Sequence, residues 1–290
     1  MANPDGGTSG GKKEALVVGG FRIEGISLAG QNTSVALPQL KLAFDIGRCP
    51  QRSVYQQTVF ISHGHLDHIG GLPFHASSRK LLDLTTSQFV VPEHLAEDLE
   101  LMMKASGSLS DNVFVYDVHT LKAGEEYKLS NGHVARCFPT VHTVPAQGYV
   151  VYSRRQKLKP EFQGRAASEI REARQAGVQI ADTVEIAEVA FTGDTTADFL
   201  SLSTSADALK AKLLIMEMTY VDDSVTVEKA MDNGHMHINQ FIEHADKFEN
   251  DAILLIHFSP RYTRDQILAA LDRLPASLRS KCSALLEGFP

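Results

Sequence analysis

Short apolar runs separated by turn and polar residues dominate the first part of the chain. Up to about residue 60, runs rich in β-branched and aromatic residues follow one another closely, which is typical of strands that are neighbours in a sheet. Similar runs recur in the middle of the chain. Over this part we predict strands at FRIEGISLAG, TSVAL, LKLAFDIG, QTVFIS, VFVYD, HVARCFPT and GYVVYS.

Helical spacing, with apolar residues three or four positions apart, occurs in four segments. They are PEHLAEDLELMMKAS, AASEIREARQAG, INQFIEHADKFE and TRDQILAALDRL. The last two alternate with strands predicted at VAFTGD, KLLIMEMTY, AILLIHFS and CSALLEG. Strands first, followed by alternating strands and helices, predict an α/β fold of two mixed sheets covered by helices, a four-layer αββα sandwich.

Composition limits the class of protein. Of 290 residues, 43% are hydrophobic and 22% charged, as in ordinary globular proteins. Residues 1–13 are rich in Gly, Ser and Pro, so we expect a disordered tail there and one folded domain over 14–290. No apolar run approaches the roughly 20 residues that span a bilayer, and the first residues lack the apolar stretch of a secretory signal.

Cysteine usage indicates a reducing compartment. Cys49, Cys137 and Cys282 are odd in number and far apart, which disfavours a disulfide framework or a thiolate metal site. We therefore predict a cytoplasmic protein without a membrane partner, and the nucleus stays open as a second location.

The stretch VFISHGHLDHIGG concentrates metal ligands directly after a predicted strand. His63 and His65 are two positions apart and project to one side of a strand end, while Asp67 and His68 follow where a helix would begin. Imidazole and carboxylate together suit zinc, or less often manganese or iron. Because a catalytic zinc keeps an open position, four donors fit two adjacent ions better than one.

Three more predicted strands end on a possible ligand. PTVHTV supplies His142, FTGDTT supplies Asp194 and LLIHFSPRY supplies His257. A single histidine after a strand is more often structural than functional. In combination with the first cluster, however, these residues indicate a two-metal site, in which a carboxylate such as Asp194 can bridge both ions.

The motifs FISHGHLDHIGGLP, FTGDTT and HFSPRY resemble those of the metallo-β-lactamase superfamily. The segment MEMTYVDDSVTVEKAMDNGHMHINQFIEHADKF resembles the ribonuclease Z family within it, and the closest likeness is to the short form of plants and other eukaryotes. The resemblance runs from about residue 23 to residue 288 and implies the αββα fold with two Zn²⁺ per chain, or Mn²⁺ or another divalent ion instead. It implies His63, His65 and His142 on one ion, Asp67, His68 and His257 on the other, and Asp194 between them.

The same resemblance places a supporting acid at Glu217 and the catalytic histidine at His235. Two divalent ions would stabilise charge on a phosphodiester and lower the pKa of a water toward neutrality. Asp67 would orient that water and accept its proton, and His235, polarised by Glu217, would protonate the leaving 3' oxygen. The family's reaction removes the 3' trailer of precursor tRNA and leaves a tRNA 3' hydroxyl and a 5' phosphate on the trailer. The family also implies a homodimer, in which the arm of one subunit holds tRNA for the site of the other.

Two segments depart from the family pattern. A loop with Pro and Lys that helps the family to discriminate the tRNA 3' end is missing, because SLAGQNTSVALP passes directly between strands. The long Gly-Pro arm of many bacterial members is replaced at about 153–187 by a shorter basic insertion. Within it, 154–174 hold seven basic and three acidic residues, a net charge of +4 in a chain whose total is -7.

A basic segment in an acidic chain suits phosphate contacts to a folded RNA, although a charged run is often only a solvated face. Candidate RNA contacts are Arg154, Arg155, Lys157, Lys159, Arg165 and Arg261. Two other functions stay open. One is a hydrolase of the same fold that acts on a thioester or a small phosphodiester, and the other is a noncatalytic RNA-binding protein.

Overall fold

Two seven-stranded sheets face each other in the computed structural model, which describes residues 16–290. The predicted tail at 1–13 lies outside the described residues. In the first sheet the strands lie side by side in chain order. They are β1 Leu16–Val18, β2 Phe21–Leu28, β3 Asn32–Leu37, β4 Leu42–Phe44, β5 Thr58–Phe60, β6 Ser87–Val91 and β7 Tyr116–Thr120.

The second sheet also keeps chain order from edge to edge. Its pairing is antiparallel from the first strand to the fourth and parallel from there to the last. The strands are β8 Tyr127–Lys128, β9 Val134–Thr140, β10 Ala146–Leu158, β11 Ala181–Phe191, β12 Leu213–Glu217, β13 Ala252–Ile256 and β14 Cys282–Ala284.

Helices accompany both sheets, and short 3-10 turns connect several of the elements. Four α-helices lie in the first half of the chain: α1 Gln51–Val54, α2 Leu66–Ile69, α3 Leu72–Leu81 and α4 Ala96–Leu109. The others are α5 Ala167–Gln175, α6 Val227–Asp232, α7 Ile238–Glu243, α8 Arg264–Asp272 and α9 Ala276–Arg279. Among residues 16–290, every helix is too short or too polar to cross a bilayer.

Three apolar cores separate the four layers. Between the sheets, Phe44 of β4 stacks on Phe191 of β11 with ring centroids 4.7 Å apart. Because successive strand residues face opposite ways, Phe60 enters this central core while Val59 faces a second core that includes Leu72 of α3. The third core lies between the second sheet and helices such as α7 and α8. The predicted αββα sandwich is thus confirmed.

Some elements differ from the sequence-based expectation. The helix α3 and the strand β6 were not predicted, and β7 begins at Tyr116, three residues later than expected. The reason is clear for α3. Two of its buried residues, His75 and Arg79, are polar and break the apolar spacing, and Arg79 is satisfied there by carbonyl oxygens of Val54 and Thr85.

An extended hairpin, here called the arm (153–187), leaves the second sheet. Beyond Tyr152, the strand β10 pairs only with β11, from Ser153 opposite Ile186 to Leu158 opposite Ala181. A 3-10 turn and α5 lie at its tip. The strands β10 and β11 are longer than predicted. Their outer residues are polar and lack the alternation of a half-buried strand, and they form strands because they pair with each other in the hairpin. Elsewhere, three residues join β2 to β3, in agreement with the direct passage expected there.

Candidate active site

Polar residues that follow the strands meet at one edge of the two sheets. Donor atoms of His63, His65, His142 and Asp194 lie within 4.8 Å of one another, and the same holds for Asp67, His68 and His257. The structure therefore brings all seven predicted ligands together. It also divides them into the two groups that the resemblance implied.

Asp194 lies between the two groups. Its Oδ2 is 3.7 Å from His63 Nε2 and 3.4 Å from His68 Nε2, and its Oδ1 is 3.5 Å from His257 Nε2. These distances exceed a hydrogen bond of ideal length. They fit ligands of a common ion, since two atoms about 2.1 Å from a tetrahedral zinc lie roughly 3.4 Å apart.

Two buried nitrogens test whether a metal suits the site. His68 Nε2 and His257 Nε2 are buried and have no hydrogen-bond partner among the described residues. Both face Asp67 Oδ2, at 3.5 and 3.6 Å. A buried polar atom without a partner is unfavourable, and a divalent cation held by these atoms would remove that penalty. The donor set thus fits a metal.

Several of the histidines are held through Nδ1, the ring nitrogen that faces away from the cluster. His68 Nδ1 lies 2.7 Å from Asp45 Oδ2, and His142 Nδ1 lies 2.7 Å from the carbonyl oxygen of Gly234. A Cβ on Gly234, whose φ is +79°, would lie 2.5 Å from His142 Nδ1, so this close approach requires glycine. Bonds of this kind fix the tautomer and leave Nε2 free for a metal.

Asp45 lies beside the cluster and was not singled out from the sequence. It is fully buried after β4, and its carboxylate accepts hydrogen bonds from Ser62 N at 2.7 Å and Ser62 Oγ at 2.8 Å, besides its contact with His68. Ser62 Oγ in turn lies 2.9 Å from His63 Nδ1. One carboxylate therefore orients a ligand of each group. Its only signal in LKLAFDIG is an acid at the end of an apolar strand.

The charge states of His63, Asp194 and Asp67 suit cation binding. Burial, followed by repulsion from His68, lowers the pKa of His63 to about 2, which keeps this imidazole neutral. Burial alone would raise the pKa of Asp194, but the nearby His257 and His68 outweigh it and lower that pKa well below its usual value. The pKa of Asp67 is lowered in the same way by His257 and His68. Both carboxylates are ionised at neutral pH.

Beside the cluster, Glu217 at the end of β12 holds His235. Glu217 is fully buried, and its Oε1 lies 2.9 Å from His235 Nδ1 and accepts the backbone N–H of Thr195. Burial would lower the pKa of His235, but the Glu217 carboxylate outweighs it and raises the pKa to about 9. His235 Nδ1 is also 4.0 Å from Asp194 Oδ2. By distance alone, Asp194, His235 and His257 form a further group that could hold a metal.

The predicted RNA contacts on the arm lie in different surroundings. Arg154 contacts Glu126 at 2.7 Å and Glu185 at 2.8 Å, and Arg136 pairs with the same two acids. Since positions alternate along a strand, Arg155, Lys157 and Lys159, here called the basic stripe, occupy the opposite face of the hairpin. Arg155 lies 3.5 Å from Glu188 with 64% of its side chain exposed, and Lys159 lies 3.8 Å from Asp182.

The two remaining candidates lie apart from the basic stripe. Arg165, near the tip of the arm, places its guanidinium 5.2 Å from the ring of Phe162. Arg261 follows His257 closely and is exposed, with its guanidinium 5.8 Å from the ring of Tyr220. The ring of Tyr220 is 6.2 Å from that of His235. Tyr220 therefore connects Arg261 with His235, which lies beside the ligand cluster.

Known proteins resemble the chain in sequence and in fold. Residues 39–258 match the model of the beta-lactamase superfamily domain. The chain is 46% identical to tRNase Z TRZ1 of Arabidopsis thaliana, with 96% of this chain and 99% of that protein covered. It is 42% identical to the chloroplastic tRNase Z TRZ2 of the same plant over 93% of this chain and 76% of the other. The crystal structure of human tRNase Z, short form, has the same fold, with a TM-score of 0.58 over 91% of this chain and 95% of that one at 19% identity.

Proposed function

The chain belongs to the tRNase Z family of the β-lactamase superfamily, and from this membership we propose its reaction and the roles of its residues. It is a metal-dependent endoribonuclease that removes the 3' trailer of precursor tRNA. The observation that carries this function is the Glu217–His235 pair, joined at 2.9 Å beside a seven-ligand cluster. Such a pair supplies a proton donor for an RNA 3' oxygen, a poor leaving group.

Incubation with end-labelled precursor tRNA tests this function. We expect one cut, mapped to the 3' end of the tRNA body, with a 3' hydroxyl on the tRNA and a 5' phosphate on the trailer. Hydrolysis of thioesters or small phosphodiesters without trailer removal would favour the other superfamily hydrolases. Binding of precursor without any cut would favour a noncatalytic RNA-binding protein, although all seven ligands are present in this chain.

Two zinc ions are the cofactors that we propose. His63, His65 and His142 would hold one, Asp67, His68 and His257 would hold the other, and Asp194 would contact both. When bound, they stabilise negative charge on the phosphodiester and lower the pKa of a water molecule. Thiolates are not among the donors, so the site also accepts Mn²⁺.

Asp67 and His235 are the residues to which we assign the proton transfers. Asp67 is ionised and 13% exposed, so its carboxylate can orient the water and accept its proton. The raised pKa of His235 keeps this imidazole protonated at neutral pH, and its side chain is 17% exposed. With Nδ1 held by Glu217, Nε2 is the atom that donates a proton to the leaving 3' oxygen.

We propose that the arm binds the body of the tRNA and that the basic stripe makes the contacts. Arg154 is engaged by Glu126 and Glu185 on the other face of the hairpin, where it supports the arm. The basic stripe places three positive charges on one face of the hairpin, where Arg155 and Lys159 each lie near a single acid, at 3.5 and 3.8 Å, whereas Arg154 is held by two. Contacts of this kind bind phosphates without reading bases. Arg165 and Arg261 are secondary candidates, at the tip of the arm and beside Tyr220.

A homodimer is the assembly that we propose. On α3, Phe74 and Leu81 are seven residues apart, lie on one helix face and are 72% and 83% exposed. Leu66, next to the ligand Asp67, is 73% exposed. A second copy seated there would cover these side chains and would border the active site, where its arm could hold tRNA. Light scattering should give a dimer for the parent and a monomer for Phe74→Asp with Leu81→Asp; a monomeric parent would exclude this assembly.

We propose the cytosol as the location, with the nucleus as a second compartment. The three cysteines are free, as in a reducing environment. A fluorescent fusion imaged in cells tests the location, and accumulation in an organelle other than the nucleus would contradict it.

A further inference from the structure

We infer that Thr219 is a positioning residue that ties the metal ligand His257 to the Glu217–His235 pair and fixes which ring nitrogen of His257 faces the cluster. The inference rests on the proposed metal site, but it does not depend on the RNA substrate. Thr219 follows β12 and lies between residues that belong to two different parts of the site.

The hydroxyl of Thr219 has two neighbours. Its Oγ1 donates to Glu217 Oε2 at 2.6 Å and lies 3.1 Å from His257 Nδ1. A hydroxyl carries one proton, and a carboxylate can only accept. Since that proton goes to Glu217, Thr219 must accept from His257, so Nδ1 of His257 carries hydrogen, and in the neutral imidazole that a metal ligand requires Nε2 does not.

The orphaned nitrogen fits this assignment. His257 Nε2 is buried and lacks a hydrogen-bond partner among residues 16–290, and it lies 3.5 Å from Asp194 Oδ1. An Nε2–H would be a buried donor aimed at a metal position. With the hydrogen on Nδ1, the lone pair of Nε2 is directed at the cluster, as a ligand requires.

Strand register brings the three residues together. The strands β12 and β13 are parallel neighbours with Glu217 opposite Ile256, which places Thr219 beside His257 just beyond both strand ends. The backbone N–H of Ser259 bonds to the carbonyl oxygen of Thr219 at 3.0 Å, and Thr219 N donates to Glu217 Oε2 at 3.1 Å. The other oxygen of Glu217 contacts His235, so Thr219 acts on both the metal ligand and the proton donor.

The other ligand group contains the same arrangement. Ser62 Oγ donates to Asp45 Oδ2 and lies 2.9 Å from His63 Nδ1. Here too a hydroxyl connects a ligand histidine to a fully buried carboxylate. Two occurrences around one site favour a function in orienting ligands over chance packing.

Metal affinity tests the inference without any RNA. Thr219→Val keeps the shape of the side chain but removes the hydroxyl, and Thr219→Ser restores it. Titration of each metal-free variant with zinc against a chelator gives the affinity of the two positions. We expect Thr219→Val to weaken one position by about 10- to 100-fold and to leave the other unchanged, with Thr219→Ser close to the parent.

A matched control is Thr140→Val. Thr140 lies at the end of β9, and its Oγ1 is buried without a partner among the described residues, so the same substitution removes a hydroxyl that orients nothing. Zinc affinity should stay at the parental value. Equal affinity in Thr219→Val and the parent, or no recovery in Thr219→Ser, would overturn the inference.

Imidazole nitrogen spectra of the parent give a second test, which applies even if Thr219→Val does not fold. They should show His257 with hydrogen on Nδ1 and none on Nε2, and the opposite tautomer would overturn the inference. If the tautomer and the affinities are as expected but precursor tRNA is not cut, the proposed substrate fails and the role of Thr219 stands.

Discussion

Replacement of His235 by alanine separates proton donation from metal binding. In the structure, His235 Nδ1 is held by Glu217 at 2.9 Å, and the carboxylate raises the pKa of the imidazole to about 9. A general acid contributes typically 10²- to 10⁴-fold. We therefore expect His235→Ala to slow trailer cleavage by that factor, which corresponds to about 2.7 to 5.4 kcal/mol of transition-state stabilisation.

The competing role for His235 is that of a ligand. Asp194, His235 and His257 lie close enough to hold an ion, and a lost ligand would also abolish activity. The metal content distinguishes the two roles, since a proton donor can be removed while about two ions per chain remain. The leaving group distinguishes them again. An aryl phosphodiester needs little protonation, so its hydrolysis should fall by about tenfold or less.

The assay compares single-turnover cleavage of precursor tRNA with hydrolysis of the aryl diester and with elemental analysis of the same preparations. His133→Ala serves as the control, because His133 precedes β9 and the seven residues of this strand put roughly 23 Å between it and the ligand His142. All three readouts should be unchanged in that variant. Similar losses on both substrates, accompanied by loss of metal, would refute the proton-donor role.

The other predictions concern the bridge between the ions, the pH dependence and the arm. Asp194→Ala should lower the occupancy of both ions, because its carboxylate lies near His63 of one ligand group and near His257 of the other; elemental analysis showing a single ion in the parent would contradict the two-metal site. The cleavage rate should fall as the pH rises through the pKa of His235, since the acid then loses its proton. Glu217→Gln should move this fall to lower pH, because it removes the carboxylate that raises the pKa; an unmoved pH profile would contradict the pairing. Alanine in place of the whole basic stripe should flatten the slope of log affinity for precursor tRNA against log salt by up to about 3 units, at roughly 0.9 per phosphate contact. Arg154→Ala, a single change on the opposite face, should leave that slope nearly unchanged. A flattening by about 0.9 units in this variant would mean that Arg154 contacts a phosphate as well.

The cluster of proposed metal ligands could be predicted from the sequence because four of the seven lie within six residues. His63, His65, Asp67 and His68 form a local pattern that few other functions need. The residues that orient them could not be found in this way. Asp45 reaches Ser62 and His68 across 17 and 23 residues, and a lone Asp or Thr at a strand end is common. Their roles depend on hydrogen bonds that only the folded sheets create.

The fold was predicted at the level of layers because the order of apolar runs determines them. The ends of the strands and helices were predicted less well where tertiary contacts stabilise an element that lacks a regular spacing of apolar residues. The arm strands carry Arg154, Lys157 and Glu185 at positions where a buried strand would be apolar, and they are strands only because the hairpin pairs them. In α3, the buried polar residues His75 and Arg79 interrupt the apolar spacing by which a helix is predicted. They are tolerated inside the fold because backbone carbonyl oxygens there form hydrogen bonds with them.

Different interactions stabilise the site and the arm, and these interactions differ in their sensitivity to salt. Asp45, Glu217 and Thr219 act through buried hydrogen bonds, which ions in solution barely screen. The contacts of Arg154 with Glu126 and Glu185 involve side chains that are 26% to 35% exposed, so salt should weaken both these contacts and the phosphate contacts that we propose for the basic stripe. Rising salt should therefore increase KM for precursor tRNA well before it lowers kcat or the metal content. A fall in kcat at constant KM would mean that the arm does not provide the main binding contacts to tRNA.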